Sequence, residues 1–97
     1  MAEVTWTPPS VEDLRQIHQF ISKDSKQYAA IVVRNVRGSA ERLRAFPESG
    51  RPVPELFGTP YREVIVSPYR VIYRYAKEKN RVWVLAVVHG SRLLPPI

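Results

Sequence analysis

The sequence predicts an α+β domain: an N-terminal strand and an antiparallel helical hairpin packed on a small antiparallel sheet, in the order β-α-α-β-β-β. Three observations lead there. Two stretches of the first half repeat apolar residues at helical spacing. Three strand-like runs of the second half are joined by segments short enough only for an antiparallel meander. Between the halves, Pro47 to Pro60 holds four of the nine prolines and two of the four glycines, and so reads as an irregular loop. A chain of 97 residues fits one domain spanning 1–97, with a real but modest core.

Glu3 to Trp6 reads as a short strand. Thr7-Pro8-Pro9-Ser10 ends it and opens a helix, with Thr7 or Ser10 as the N-cap and Pro8 suited to the first turn. Ser10-Val11-Glu12-Asp13 has the form of a capping box with Asp in place of the usual Glu. Val11, Leu14, Ile17 and Ile21 carry the helical period to about Ser22. Asp24-Ser25 starts a longer helix. Its apolar side is Tyr28, Val32, Val36, Ala40 and Leu43, widened by Ala29, Ile31 and Val33, and Pro47 ends it. The short connection makes the two helices antiparallel neighbours.

The strand-like runs are Tyr61–Ser67, Tyr69–Ala76 and Arg81–His89, joined by Ser67-Pro68 and by Lys77-Glu78-Lys79-Asn80. In the middle run, Arg70, Ile72 and Arg74 share one face, and Val71, Tyr73 and Tyr75 the other. In the last run, Val82, Val84, Ala86 and Val88 alternate with Trp83, Leu85, Val87 and His89. Both faces are apolar, so this strand should be central and covered. Trp6 and Trp83 are expected as core or edge anchors.

Composition narrows function. Cysteine is absent, which excludes disulfides and thiolate metal sites. His18 and His89 lie far apart, so neither a metal nor a cofactor is expected. No run approaches the ~20 apolar residues of a membrane span. Met1 to Thr7 lacks the form of a signal peptide, so a soluble cytoplasmic protein with no membrane role is expected. Net charge is +6, with a pI near 10.1. Residues 1–48 hold seven Lys/Arg and six Asp/Glu; residues 49–97 hold eight and three. The second half is the basic half. Arginines spaced along a small sheet suggest a surface that meets something anionic, whether nucleic acid or an acidic protein.

The element order, together with Val4-Thr5-Trp6-Thr7-Pro8, Asp13-Leu14, Ile17, Phe20-Ile21, the Leu43 to Pro47 helix end, Gly50-Arg51-Pro52, Arg62-Glu63, Tyr69-Arg70-Val71-Ile72-Tyr73-Arg74 and His89-Gly90-x-Arg92, resembles the RelE/ParE superfamily of toxins from type II toxin–antitoxin modules. The resemblance covers nearly the whole chain. It implies a toxin held inactive in a hetero-oligomer with an acidic antitoxin, whose arm is disordered when free and folds on the toxin. It also implies one of two targets. RelE-like members cut messenger RNA in the ribosome; ParE-like members poison DNA gyrase. A third expectation is a member that only binds its antitoxin.

Metal-free RNA cleavage needs the 2′-hydroxyl deprotonated, the phosphate charge stabilised and the leaving oxygen protonated. Arg62, Arg70, Arg74 and Arg92 are candidates for the charge, and His89 for acid or base. In a non-enzymatic toxin the same five residues would bind the target. A plainer reading leaves Arg70 and Arg74 as a solvated face or pairs them with Glu63 and Glu55. The resemblance to RelE-like nucleases also calls for a lysine-rich approach and a C-terminal tyrosine. Here Arg92 is followed by Leu93-Leu94-Pro95-Pro96-Ile97, and the loop 50–60 has no lysine. The ending and the long second helix therefore look ParE-like, and the tail Ser91–Ile97 becomes a contact element for gyrase or antitoxin. Antitoxin contact is expected at Leu14, Ile17, Ile21 and Arg51, with Val11 and Phe20 completing an apolar strip on the helices.

Overall fold

The computed structural model describes residues 1–97. The elements are β1 (Glu3–Trp6), α1 (Pro8–Ser22), α2 (Lys26–Glu41), β2 (Arg51–Pro52), β3 (Tyr61–Val66), β4 (Tyr69–Ala76) and β5 (Arg81–His89). They form one five-stranded sheet in the order β1-β5-β4-β3-β2. The predicted meander β3-β4-β5 is present and antiparallel. The sheet as a whole is mixed, because β1 adds to the far edge parallel to β5, from Glu3 opposite Arg81 to Trp6 opposite Val84. The expected proline-rich loop contains the two-residue strand β2, paired to β3 through Arg51–Glu63 and Pro52–Arg62.

Both helix starts follow from their caps. Thr7 is the N-cap of α1, its hydroxyl oxygen facing the Ser10 N–H at 3.4 Å, with Pro8 in the first turn. The same hydroxyl donates to the Val84 carbonyl at 2.8 Å and so ties the cap to β5. Ser10 is buried behind it. Ser25 caps α2 by accepting from the Tyr28 N–H at 3.0 Å. The helix tightens into a 3-10 turn at Arg42–Arg44 before Pro47.

The helical hairpin covers one face of the sheet. Leu14, Val32, Val36 and Ala40 pack on Tyr69, Val71, Val84 and Val87, and Leu43 packs nearby with Tyr73 and Val82. The opposite face is covered by chain rather than by helix: Val53 and Leu56 of the loop and Leu94 of the tail lie on Ile72, Ala86 and Val88. Tyr28 and Ile31 were expected within the buried stripe of α2, yet they are 53% and 41% exposed. The buried line runs through Ala29, Val32, Val36, Ala40 and Leu43, so Tyr28 and Ile31 fall at its margin and turn to solvent.

The strict alternation predicted for the last strand breaks once. Ile72 pairs with Ala86 while Tyr73 pairs with Val84, so Leu85 is an extra residue, a β-bulge. Val82, Val84 and Val87 therefore face the helices, and Ala86 and Val88 the other side. His89, opposite Tyr69, ends on the helix-covered face. The pairing of β1 with β5 stops at Val84, leaving the Val87 N–H beyond the end of β1. The Asp13 carboxylate accepts that hydrogen bond at 3.0 Å. Asp13 is thus the link from α1 to the bulged strand rather than part of a capping box. Burial pushes its carboxyl up despite the hydrogen bond.

Asp13→Ala leaves the Val87 N–H without its partner, and urea unfolding should show a loss of about 1–3 kcal/mol. Asp13→Asn retains an acceptor and should lose less.

Candidate functional site

The predicted site residues fall into two groups on opposite faces of the sheet. The first surrounds a carboxylate. Glu63 is 1% exposed and lies on the face that no helix covers. Arg51 reaches it from β2 with Nε to Oε2 at 2.6 Å, and Arg70 reaches it from β4 with Nε to Oε1 at 2.7 Å. Arg70 then extends both terminal nitrogens to Glu55 of the overlying loop, at 2.6 and 2.7 Å. The bidentate pair holds Glu55 at about 2, against an ordinary value of 4.5, and raises Arg70 further. Arg70 thus takes the plainer of its two expected roles. Its donors are spent on Glu55 and Glu63, and its side chain is 11% exposed.

Arg62 alternates with Glu63 and so points to the opposite face. Its Nη1 donates to the Gly50 carbonyl at 2.8 Å, while the Gly50 N–H donates to the Tyr73 hydroxyl at 2.9 Å. Gly50 is required there: an added Cβ would stand 2.6 Å from the Tyr73 hydroxyl and 2.7 Å from the Glu63 carbonyl. Arg74 is exposed at the far end of β4, opposite Tyr61, and makes no ion pair. The three arginines therefore do not converge: two lie on one face with Arg70 neutralised, and Arg62 lies on the other.

The second group is at the end of β5. The bulge and the turn after it place His89 and Arg92 in a cleft of about 520 Å³ with Asp13, Gln16, Ile17 and Phe20 of α1, Tyr69 of β4, and Leu93 and Pro95 of the tail. The His89 ring stands edge-on to Tyr69, with centroids 5.5 Å apart. Its Nδ1 accepts from the Ser91 N–H at 3.1 Å and faces the Ser91 hydroxyl at 2.8 Å. In the neutral ring this leaves the proton on Nε2. Gly90 has its N–H on the Pro68 carbonyl at 2.7 Å, and a Cβ there would meet that oxygen at 3.2 Å. Close approach, rather than a left-handed bend, accounts for this glycine.

Of the expected antitoxin contacts, Leu14 is 6% exposed and belongs to the core, because it points from the first turns of α1 onto the sheet. Ile17 and Ile21 are partly buried beside it. Phe20 is the exposed apolar residue of this helix end, at 70%. Ile17 and Phe20 meet His89 and Arg92 in one cleft, a union across the whole length of the chain that linear spacing does not reveal.

A basic α+β domain of this topology, with a two-helix hairpin on one sheet face, is the toxin fold of solved toxin–antitoxin modules. The structure superposes on a chain of the chromosomal ParDE system of P. aeruginosa with a TM-score of 0.74 at 20% identity, covering 92% of this chain and 96% of that one. A chain of the intact E. coli RelBE complex gives 0.66 at 18% identity, covering 95% and 100%. Among sequences, the protein named Toxin RelE2 of Caulobacter vibrioides is 32% identical over 93 residues, 96% of this chain and all of its own. The putative toxin Y4kP of Sinorhizobium fredii is 30% identical over 96 residues, 97% of this chain and 94% of its own. The family model described as ParE toxin of type II toxin–antitoxin system, parDE, matches residues 4–94. The chain belongs to this family and is a type II toxin–antitoxin toxin of the RelE/ParE group.

Arg70→Ala leaves Glu63 buried with one partner. Guanidinium unfolding should show a loss of about 3–5 kcal/mol, the cost of breaking a buried pair from one side. The Glu55 carboxyl titration, followed by NMR, should have its midpoint near 2 in the parent and return toward 4.5 in the variant. Because the folded value is depressed, the contribution of Glu55 is complete above about pH 4.5 and is lost as pH falls through 2.

Proposed function

We propose that this protein arrests growth by binding DNA gyrase in the cytoplasm, without catalysing a reaction of its own, and that a cognate acidic antitoxin neutralises it. The observation that carries the reading is the separation of the candidate catalytic residues. His89, the only candidate proton carrier among them, lies beside α1, while Arg70 is neutralised on the opposite face. Phosphate chemistry needs such groups around one reacting atom. A protein contact does not. The cleft offers what a contact needs: exposed apolar groups in Phe20 and Leu93, and a free cation in Arg92.

The match to the ParE toxin family supports the same reading. An antitoxin partner is supported by the structural relatives, which come from toxin–antitoxin complexes. Ile17, Ile21 and Arg51 are the residues assigned to it, and a net charge of +6 suits an acidic partner.

Expression without a partner should relax plasmid DNA or break it while messenger RNA stays intact. Cut messenger RNA with normal supercoiling would replace this reading with a ribosome-dependent nuclease. The double variant Phe20→Ala, Arg92→Ala should stay folded, since both side chains are exposed. It should weaken inhibition of purified gyrase at least about tenfold, the scale of losing one contact hot spot.

A further inference from the structure

A second cavity, of about 300 Å³, lies between the C-terminal end of α2 and the outer edge of β3, away from the tail cleft. Ser39, Arg42, Ser49, Gly50, Arg51 and Ile65 line it, with the buried Glu63 behind Arg51. We infer that this cavity is a carboxylate-binding pocket that takes an Asp or Glu side chain of a protein partner.

The argument begins with donors. Glu63 holds Arg51 by Nε alone, which fixes the guanidinium and leaves its terminal nitrogens free on an arm 60% exposed. That is the fork geometry that receives a carboxylate. Arg42 stands on the facing wall and makes no ion pair, unlike Arg44, which Glu41 engages at 2.7 Å. The Ser49 hydroxyl has no protein partner and can donate, whereas Ser39 spends its proton on the Val36 carbonyl.

Charge selects the ligand. Arg42, Arg51 and Arg70 face Glu55 and Glu63, which leaves one positive charge unmatched, enough for one carboxylate. A nucleic acid brings a row of phosphates and needs a row of free cations. Here Glu41 and the exposed Glu48 flank the cavity and would repel it. Ile65, 51% exposed, adds an apolar wall beside the cations, which suits an acidic residue set among aliphatic neighbours. The inference rests on the reading that the protein's partner is an acidic antitoxin.

The test titrates the labelled full chain with the blocked tripeptide Val-Asp-Val and with Val-Asn-Val, following the backbone amide signals of Ser39, Arg42, Ser49, Gly50 and Ile65 by NMR. The Asp peptide should move these signals and the Asn peptide should not. Arg42→Gln should weaken the response about tenfold, the scale of one charge-assisted hydrogen bond, with the rest of the spectrum unchanged. An equal response to both peptides, or none, would overturn the proposal. Tighter binding of a short single-stranded oligonucleotide at these amides would overturn it as well and assign the cavity to nucleic acid. Gyrase is absent from the titration, so failure of the gyrase reading and failure of the pocket are read separately.

Discussion

Glu63 sits with its side chain fully out of water on the sheet face that no helix covers, and much of the second half of the chain is arranged around its charge. A buried carboxylate is costly unless its oxygens are met by donors. Arg51 meets one oxygen and Arg70 the other. Arg70 then needs a partner for its remaining nitrogens, and Glu55 supplies it from the loop. That last pair draws residues 53–56 across the sheet, where Val53 and Leu56 close over Ile72. The charge network and the apolar layer are therefore one construction: the carboxylates orient the loop, and the loop excludes water from the pairs.

A second constraint governs the other end of the molecule. The extra residue at Leu85 reverses which side chains of β5 meet the helices, while the strand keeps its pairing with β4 through His89. The N–H that β1 does not reach goes to Asp13. One irregularity thus brings the end of β5 against α1, and with it His89 and Arg92. Without the bulge, Val87 and His89 would face the loop-covered side, and the cleft would have no floor.

The two ends differ in what they can bind. The tail cleft combines aromatic and aliphatic surface with one free guanidinium, and the cavity at β3 combines two guanidiniums with little apolar area. A toxin that meets both a target and an inhibitor needs discrimination at each, and different surface chemistry is the simplest way to obtain it. The proposed division, target at the tail and a carboxylate of the partner at Arg42 and Arg51, follows that difference.

The sequence by itself determined the element order, both helix starts and the central place of the last strand. These depend on neighbours a few residues apart: Thr7 before Pro8, Ser25 before the valine stripe of α2, and alternation on either side of Asn80, which takes the left-handed conformation its turn requires. The pairing of Arg70 with Glu55 and Glu63 was also legible as the plain alternative to a phosphate site, because opposite charges and burial already suggested it. Tertiary structure alone decided the parallel addition of β1, the bulge at Leu85, the division of the arginines between two faces, and the meeting of Ile17 and Phe20 with His89 and Arg92. Each depends on residues about 70 or more positions apart or on a one-residue shift of register. Local propensity is blind to both, since a single inserted residue reverses every later side chain while leaving the strand pattern intact.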